Sequence, residues 1–337
     1  MQTNLSVHQK KNFVKTAVFL LILFLMLKFF SDLSLYLNRN PDPLLHSDSH
    51  GILAEPKDSI DVVAIGNSNV RSGITPLNWW NEYGFTGYTW GEASQRIYNS
   101  RFYLQEIFKK QSPKLVLLEA SCFFRDSSLA EELDSIVRAN ISNYFPVIMY
   151  HHNLMKLTSF DPEIFHSPAR SLPKGYRFSN KHKASKDSKS YMSKRTLKEN
   201  THTLHPLVKQ EILKIRQLCE DNNAQLLILT LPSTGDWNLK YHKLVNQFCT
   251  ENKLDFLDMN KRKILHSMHF SWKYYTRDRG IHLNYEGAST ATSYLGNYLT
   301  ENYQLPDHRN DKNYQQWNED FDQFLALIRN ADETEIQ

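Results

Sequence analysis

The segment 65–73 places a serine where an apolar strand ends. The preceding run 60–65 is short and β-branched, which is typical of a buried parallel strand. Gly66 allows a sharp turn that a side chain would obstruct. Ligands of open α/β sheets gather at the carboxyl ends of the strands, so Ser68 lies where a nucleophile is expected. The alternative is that Asn67 and Ser68 only cap the next helix.

A carboxylate and an imidazole lie close together in a second segment, 275–288. Asp278 and His282 precede a predicted helix at 288–299 and therefore lie on the loop that enters it. A histidine there could deprotonate Ser68 and later protonate a leaving oxygen, while the carboxylate fixes its tautomer. The alternative is an aspartate that orders the loop and a histidine that lies at the surface.

Strand-like runs alternate with helical patterns in the part of the chain that carries both segments. The predicted strands are 60–65, 85–90, 114–119, 225–230 and 254–258. The predicted helices are 75–83, 94–110, 206–222, 239–252 and 288–299. This alternation predicts an α/β fold with a mainly parallel five-stranded sheet that is covered by helices on both faces.

An apolar run near the N-terminus predicts a membrane helix at 13–37. The run is long enough to cross a bilayer, which needs about 20 mostly apolar residues, with Lys28 close to an interface. Three lysines precede the apolar core and Arg39 alone follows closely, so the positive-inside bias puts residues 1–12 in the cytoplasm. No small-x-small cleavage site follows the core. An uncleaved anchor is therefore favoured over a cleavable signal peptide.

Three further segments do not follow the strand–helix alternation. Residues 38–59 contain three prolines among polar residues, which is typical of a linker. An insertion occupies about 125–205, and within it residues 181–200 carry seven Lys or Arg against two acidic residues, a net charge of +5. A solvated disordered loop is the default explanation, and a surface that faces an anionic polymer or a membrane is the alternative. In the tail 303–337, apolar residues recur with near-helical spacing. This spacing predicts an amphipathic helix that either packs on the core or docks on a partner.

Composition limits the remaining classes of function. With 337 residues and 41% hydrophobic content, the chain can hold one large α/β domain with appendages and is not disordered. The net charge of +4 gives no indication of a nucleic-acid partner. The cysteines Cys122, Cys219 and Cys249 have no metal-ligand spacing and predict buried free thiols. The histidine pairs also lack an accompanying ligand set, so neither a metal site nor a cofactor is predicted.

Residues 66–69 and 278–287 together resemble the first and last blocks of the SGNH/GDSL hydrolase superfamily, and the resemblance spans about 60–302. It implies that Ser68 is the nucleophile, His282 the base and Asp278 the acid that orients the base. It also implies a three-layer α/β/α sandwich with a flavodoxin-like sheet.

The same resemblance implies an oxyanion hole and substrate contacts. Residues 88–95 resemble the second block, so the Gly91 N–H would join the Ser68 N–H as an oxyanion donor, with Gln95 in the same pocket. Asn67, Asn69 and Asn284 stand beside the catalytic residues in these blocks. The resemblance gives them substrate-binding roles.

Two features depart from the pattern of the superfamily. No Gly-x-Asn-Asp block follows the strand that ends at Glu119, so the usual side-chain oxyanion donor has no counterpart unless Gln95 replaces it. One missing donor can cost about 10²- to 10³-fold in rate. In addition, three residues separate Asp278 from His282, where two are usual.

Within the superfamily, the plan of the chain is similar to membrane-anchored bacterial proteins of the DltD and PatB kind. The resemblance implies a single-pass protein of the bacterial cell membrane with a cytoplasmic N-terminus and an extracytoplasmic catalytic domain. It would act as an esterase or acyltransferase on a cell-envelope polysaccharide or a teichoic-acid-like polymer, beside a membrane-bound O-acyltransferase. The alternative is a non-catalytic binding or assembly protein with the same fold.

Overall fold

The computed structural model describes residues 7–37, 49–125, 170–199 and 203–336, together with 130, 133–134, 137–138, 141 and 144–156. The chain divides into two compact units. The smaller unit draws on 1–39 and 137–167, and the larger unit draws on 40–136 and 168–337. The predicted linker 38–59 and the predicted insertion 125–205 lie partly outside the described residues.

A sheet of five parallel strands forms the centre of the larger unit. The strands are β1 (Val62–Asn67), β2 (Gly87–Glu92), β3 (Leu115–Glu119), β4 (Gln225–Thr230) and β5 (Asp255–Asp258). Their order is β2-β1-β3-β4-β5, and each neighbouring pair is parallel. This is the flavodoxin-like order, in which the strand order reverses between β1 and β3. The predicted α/β class and the five predicted strands are confirmed.

Helices connect the strands and extend the chain at both ends. They are α1 (Val7–Tyr36), α2 (Ser68–Gly73), α3 (Pro76–Tyr83), α4 (Ile97–Phe108), α5 (Val147–Tyr150), α6 (Thr196–Glu199), α7 (Pro206–Asp221), α8 (Leu239–Glu251), α9 (Arg262–Ser267), α10 (Tyr285–Asn302) and α11 (Gln315–Ile336). Short 3-10 helices span Ser49–Ala54, Ala120–Phe124, His151–Lys156 and Lys312–Tyr314. The α1 and α5 helices belong to the smaller unit.

Helices cover the sheet on both faces. Crossovers between parallel strands are right-handed, so connections that run in opposite directions across a sheet lie on opposite faces. The α3 helix leads from β1 to β2 and α4 leads back towards β3, and these helices therefore lie in different layers. The α10 helix packs on α3, and α7 packs on α4. Every residue of β1 and β3 is consequently buried, which explains their continuous apolar character.

The smaller unit contains the apolar N-terminal helix. Within the described part of the chain, α1 is the helix that is long and apolar enough to cross a membrane, and its large apolar side chains between Phe13 and Met26 are exposed. The Val147 N–H donates to Ser31 Oγ at 3.3 Å, and the rings of Phe24 and Phe145 meet edge to face. A helix covers almost all of the predicted span 13–37, while membrane crossing and orientation stay predictions.

The C-terminal tail forms the predicted amphipathic helix. In α11, Trp317, Phe324 and Ile328 are buried. The Phe324 ring makes edge contacts with Tyr176 and Tyr285, and the helix packs on α3. The sequence left open whether this helix packs on the core or docks on a partner. Its apolar face packs on the core.

A buried ionic cluster joins α11 to the chain beside β2. Lys174 Nζ donates to Glu55 Oε1 at 2.8 Å and to Asp320 Oδ2 at 2.6 Å. Arg170 contacts the same two carboxylates, and the side chains of Lys174 and Glu55 are fully buried. The Lys174 carbonyl oxygen accepts from the Thr89 N–H in β2 at 3.0 Å. The cluster therefore holds the outer strand of the sheet in place.

We expect Lys174→Met to lower the free energy of unfolding by about 3 to 5 kcal/mol, because it leaves two carboxylates buried without their central cation. Urea denaturation followed by circular dichroism measures the change. Lys243→Met, at an exposed position of α8, serves as the control and should have no measurable effect. A loss for Lys174→Met no larger than that of the control would show that the cluster does not stabilise the fold.

Candidate active site

Two glycines let the ends of β1 and β2 pack closely against the chain that follows. A Cβ on Gly66 would lie 2.6 Å from the Cβ of Glu119 and 2.9 Å from a methyl group of Val70. Gly66 pairs in register with Gly91, where a Cβ would lie 2.7 Å from the Asn67 carbonyl oxygen. A side chain at either position would therefore obstruct the turn into α2.

The sequence left open whether Ser68 is a nucleophile or caps the next helix together with Asn67. In the structure, the two residues have different contacts. Asn67 is the N-cap of α2, because its Oδ1 accepts from the Asn69 N–H at 2.9 Å. Its Nδ2 donates to Ser121 Oγ at 2.7 Å, so the whole amide is used inside the protein. Ser68 is the first residue of the helix, and its Oγ points to His282 instead. The cap is thus Asn67, and the Ser68 hydroxyl is free for chemistry.

Ser68, His282 and Asp278 form a continuous chain of hydrogen bonds. Ser68 Oγ lies 2.8 Å from His282 Nε2, and His282 Nδ1 lies 2.5 Å from Asp278 Oδ2. Asp278 Oδ1 accepts from the His282 backbone N–H at 2.7 Å. Because an ionised carboxylate only accepts hydrogen bonds, Nδ1 carries the proton and Nε2 accepts from the Ser68 hydroxyl. The fold brings together the three residues that the sequence predicts to act as a unit.

Asp278 is held in its ionised form although it is partly buried. Burial acts to raise the pKa of this carboxyl, but the hydrogen bonds from His282 and the charge of Arg277 outweigh it, so the pKa lies below its ordinary value. An ionised carboxylate stabilises the imidazolium that forms when His282 accepts a proton. The side chains of His282 and Asp278 are 18% and 37% exposed, so the pair is accessible from solvent.

A left-handed turn takes up the extra residue between Asp278 and His282. Arg279 and Gly280 have φ values of 70° and 101°. The Ile281 carbonyl oxygen accepts from Ser233 Oγ at 2.9 Å, which fixes the end of the turn. Asp278 can then reach both the backbone and the ring N–H of His282. The longer spacing is therefore compatible with a direct Asp–His contact.

Residues 183–185, which belong to the basic segment 181–200, contact the loop that carries Asp278 and His282 and the neighbouring Thr234. The Lys183 N–H donates to the Thr276 carbonyl oxygen at 2.7 Å, and Thr276 Oγ1 donates to the Lys183 carbonyl oxygen at 2.7 Å. Ser185 Oγ lies 2.7 Å from Thr234 Oγ1. The four lysine side chains of 181–189 are exposed. This stretch is thus ordered against the loop that carries His282, contrary to the default expectation of a disordered loop.

Backbone N–H groups are the candidates for an oxyanion hole. Ser68 occupies the first position of α2, where an N–H has no acceptor within the helix. Gly91 lies beside the same turn, and the role of its N–H as a second donor stays a prediction. The Gln95 amide has other partners, because it donates to Ser100 Oγ at 3.0 Å and accepts from the Glu92 N–H at 3.0 Å. These bonds hold Gln95 within the turn after β2, and no described contact brings it to Ser68.

The asparagines that the resemblance assigns to substrate binding make internal hydrogen bonds. Asn284 is the N-cap of α10, and its Nδ2 donates to the Tyr274 carbonyl oxygen at 2.7 Å. Asn67 caps α2, and Asn69 Nδ2 donates to Asp236 Oδ2 at 3.0 Å. The exposed fractions of Asn67, Asn69 and Asn284 are 0%, 4% and 2%. The amides of Asn67 and Asn284 thus hold the backbone at the starts of two helices, and Asn69 contacts the side chains of Ser121 and Asp236. Substrate binding by these residues stays a prediction.

A buried carboxyl group lies behind the turn that carries Ser68. Glu119 ends β3, and its Oε2 accepts from Ser121 Oγ at 2.6 Å and from the Ser121 N–H at 3.1 Å. Burial raises the pKa of Glu119 to about 7 against the hydrogen bonds from Ser121. Ser121 in turn accepts from Asn67, which links this carboxyl to the cap of α2. An acidic residue at the end of an otherwise apolar strand was the sequence signal for this group.

Other reactive groups do not join the site. Among the residues described, no group of three or more His, Cys, Asp or Glu side chains could hold a metal ion. The three cysteines are free and buried, as predicted. Burial raises the pKa of Cys219 and Cys249 to about 12, so neither thiol ionises near neutral pH.

Known proteins resemble this chain in structure, but the sequence matches no family model. No family model and no curated protein matches the chain. A Bacteroides fragilis protein predicted to be an acylhydrolase is 17% identical, with a TM-score of 0.39, and the match covers 78% of this chain and 99% of that one. A GDSL-like lipase from Bacteroides thetaiotaomicron is 14% identical, with a TM-score of 0.38 and coverages of 74% and 94%. The assignment of the site therefore rests on the contacts of Ser68, His282 and Asp278.

We expect Glu119→Gln to change the pH dependence of stability. The folded-state pKa of about 7 lies above the ordinary value of 4.5, so the stability from the protonated carboxyl is complete below about pH 4.5 and is lost as pH rises through about 7. The variant lacks this loss. Its free energy of unfolding relative to the unchanged protein should rise by up to about 3 kcal/mol across this window. Urea denaturation at several pH values measures the difference in free energy of unfolding between the two proteins. A difference that does not change with pH would contradict a raised pKa of Glu119.

We expect Gly280→Ala to displace the loop that carries Asp278 and His282. A Cβ at this left-handed position would lie 2.1 Å from Thr234 Oγ1 and 2.6 Å from Ser185 Oγ. Reaction of Ser68 with a serine-directed phosphonate should slow about 10²-fold, the usual cost of misplacing a reacting group by about 1 Å. Arg279→Gly, which suits the neighbouring left-handed position, is the control. Equal labelling rates for the two variants would refute the role of this turn.

Proposed function

We propose that this chain is a serine acyl-transfer enzyme of the SGNH type, an esterase or an O-acyltransferase. The observation that carries the proposal is the hydrogen-bond chain from Ser68 through His282 to Asp278. Ser68 follows β1, at the point where the strand order reverses and where ligands bind in open α/β sheets. The blocks at 66–69 and 278–287 support membership of the SGNH/GDSL superfamily.

The geometry supports a two-step reaction. Ser68 Oγ attacks the carbonyl carbon of an ester while its proton passes to His282 Nε2. The tetrahedral intermediate collapses, the leaving alkoxide takes the proton from His282, and the acyl group stays on Ser68. Water or a sugar hydroxyl then loses a proton to His282 and attacks the acyl-serine. The product acid or ester leaves, and the proton returns to Ser68 Oγ.

Backbone groups would stabilise the oxyanion in both steps. The N–H of Ser68 at the start of α2 and the N–H of Gly91 are the proposed donors. Donors that are fixed by the fold cost no reorganisation when the charge develops. Since the amide of Gln95 is bound to Ser100 and Glu92, the hole would rely on main-chain donors.

The proposed setting is the outer face of a bacterial cell membrane. The apolar helix α1 supports an N-terminal anchor, and the lysines before its core support a cytoplasmic N-terminus. The acyl donor or acceptor would then be a cell-envelope polysaccharide or a teichoic-acid-like polymer. A membrane-bound O-acyltransferase would be the partner that supplies or receives acyl groups.

A second candidate is a binding or assembly protein that keeps the fold without the chemistry. The internal hydrogen bonds of Gln95 favour it, because they engage the amide that the sequence offered as a side-chain oxyanion donor. In cells, Ser68→Ala and His282→Ala would then support normal polymer modification, whereas deletion of the domain would not. The enzyme predicts the opposite result for both variants.

We expect the full-length protein to be labelled covalently by a serine-directed phosphonate at Ser68. Ser68→Ala should abolish labelling, and His282→Ala should slow it, because the serine then lacks its base. Mass spectrometry of the labelled peptide identifies the residue. Ser112→Ala, at an exposed serine bound to Asp58, should label normally. A folded protein that is not labelled at Ser68 would refute the nucleophile assignment.

A further inference from the structure

Three arginines meet beside the candidate nucleophile. Arg71 lies in α2, three residues after Ser68, and the Arg177 N–H donates to the Arg71 carbonyl oxygen at 2.6 Å. Arg277 comes from the loop that carries the base, and its Nη2 donates to Ser72 Oγ at 2.9 Å. Separate parts of the chain thus bring three guanidinium-bearing residues to the helix that begins at Ser68.

These arginines have little negative charge around them. Within the described chain, none of the three forms an ion pair, and the buried Arg71 Nε has no hydrogen-bond partner. Asp278 is the carboxylate whose charge acts on Arg277, but both of its oxygens accept from His282. Burial and the neighbouring guanidinium charges lower the pKa of Arg177 and Arg277. Arg71 and Arg277 are partly buried, and charges removed from water are normally paired, so this arrangement calls for an anion.

The position of the cluster relates it directly to the reaction. Residues four apart share one face of a helix, so Ser72 lies on the same side of α2 as Ser68, about 6 Å along the axis. The Arg277 guanidinium is therefore fixed about one helical turn from the nucleophile. Arg177 is exposed, whereas Arg71 and Arg277 are partly buried, so the cluster opens to solvent.

We propose that Arg71, Arg177 and Arg277 form an anion subsite that holds a carboxylate or phosphate of the substrate next to the ester that Ser68 attacks. The inference rests on the proposed function and narrows its substrate class to acylated acidic glycans. The planar fork of an arginine matches both oxyanions through paired hydrogen bonds. A neutral sugar residue offers no charge to balance the cluster.

The surrounding surface supports an acidic polymer in particular. The segment that braces the His282 loop exposes Lys181, Lys183, Lys186 and Lys189. Exposed Asp187 is the acidic residue within 181–189, so the four lysines leave a net positive charge. A positively charged surface attracts a polymer of negative charge and raises its local concentration. An acidic glycan would thus be drawn along the lysines, with one of its charged groups bound by the arginines.

The test compares matched sugars on the full-length protein in non-ionic detergent. The substrates are an acetylated methyl glucoside, the corresponding methyl glucuronoside and the corresponding glucoside 6-phosphate. We expect kcat/KM to be at least about tenfold higher for an acidic sugar than for the neutral one. The preferred acidic sugar distinguishes carboxylate from phosphate.

Variants then test the arginines. Arg71→Gln and Arg177→Gln should each reduce the acidic-to-neutral ratio of kcat/KM about tenfold or more, because a hydrogen bond between charged groups is lost. Arg177→Lys should keep part of the preference, since it retains the charge without the fork. Lys243→Gln, at an exposed position of α8, is the charge-matched control and should leave the ratio unchanged.

A binding experiment separates this inference from the proposed chemistry. Isothermal titration of Ser68→Ala with methyl glucuronoside, glucoside 6-phosphate and methyl glucoside should show tighter binding of an acidic sugar, and a second change, Arg177→Gln, should remove the difference. Equal binding of acidic and neutral sugars overturns the subsite, even if Ser68 is labelled and esters are hydrolysed. Arginine-dependent binding without labelling or hydrolysis keeps the subsite and refutes the enzyme.

Discussion

The hydrogen bond between Ser68 and His282 is the interaction on which the organisation of the candidate site depends, because it joins residues 214 positions apart. Such a contact forms only if both ends are fixed independently. Gly66 and Gly91 let the serine end fit against the sheet, while Asn67 caps the helix that begins there. At the other end, a left-handed turn and the segment around Lys183 hold the loop that carries the histidine.

Three sets of ionisable groups that are wholly or partly buried differ in how their charges are balanced by neighbouring groups. Lys174 is surrounded by carboxylates and therefore acts as part of the scaffold of β2. Among the described residues, the Glu119 carboxyl accepts hydrogen bonds from Ser121, and burial raises its pKa to about 7. In the described part of the chain, Arg71, Arg177 and Arg277 form no ion pair, and Asp278, whose charge acts on Arg277, is hydrogen-bonded to His282. The incompletely compensated groups thus lie next to the nucleophile, where a protein can use them to bind or orient a ligand.

Local sequence patterns were sufficient for the scaffold. The apolar runs predicted all five strands, and the alternation with helical segments predicted a parallel sheet, because burial on both faces requires continuous apolar strands. The pairing of Ser68 with His282 and Asp278 came from a resemblance of short blocks. The same resemblance gave Gln95 and Asn284 roles facing a substrate, and these roles stay predictions. In the structure, their amides make hydrogen bonds within the turn after β2 and at the start of α10.

By itself, then, the sequence determined the sheet, its flanking helices, the apolar N-terminal helix and the positions in the chain where chemistry could occur. These properties depend on the periodicity of apolar residues and on turn formers, which act over a few neighbouring positions. Only the tertiary structure decided that Asn67 is the cap and that the Ser68 hydroxyl meets His282. It also brought Arg177 and Arg277 into contact with the helix that contains Arg71. Hydrogen-bond partners and charge balance depend on the packing of distant segments, which no local pattern encodes.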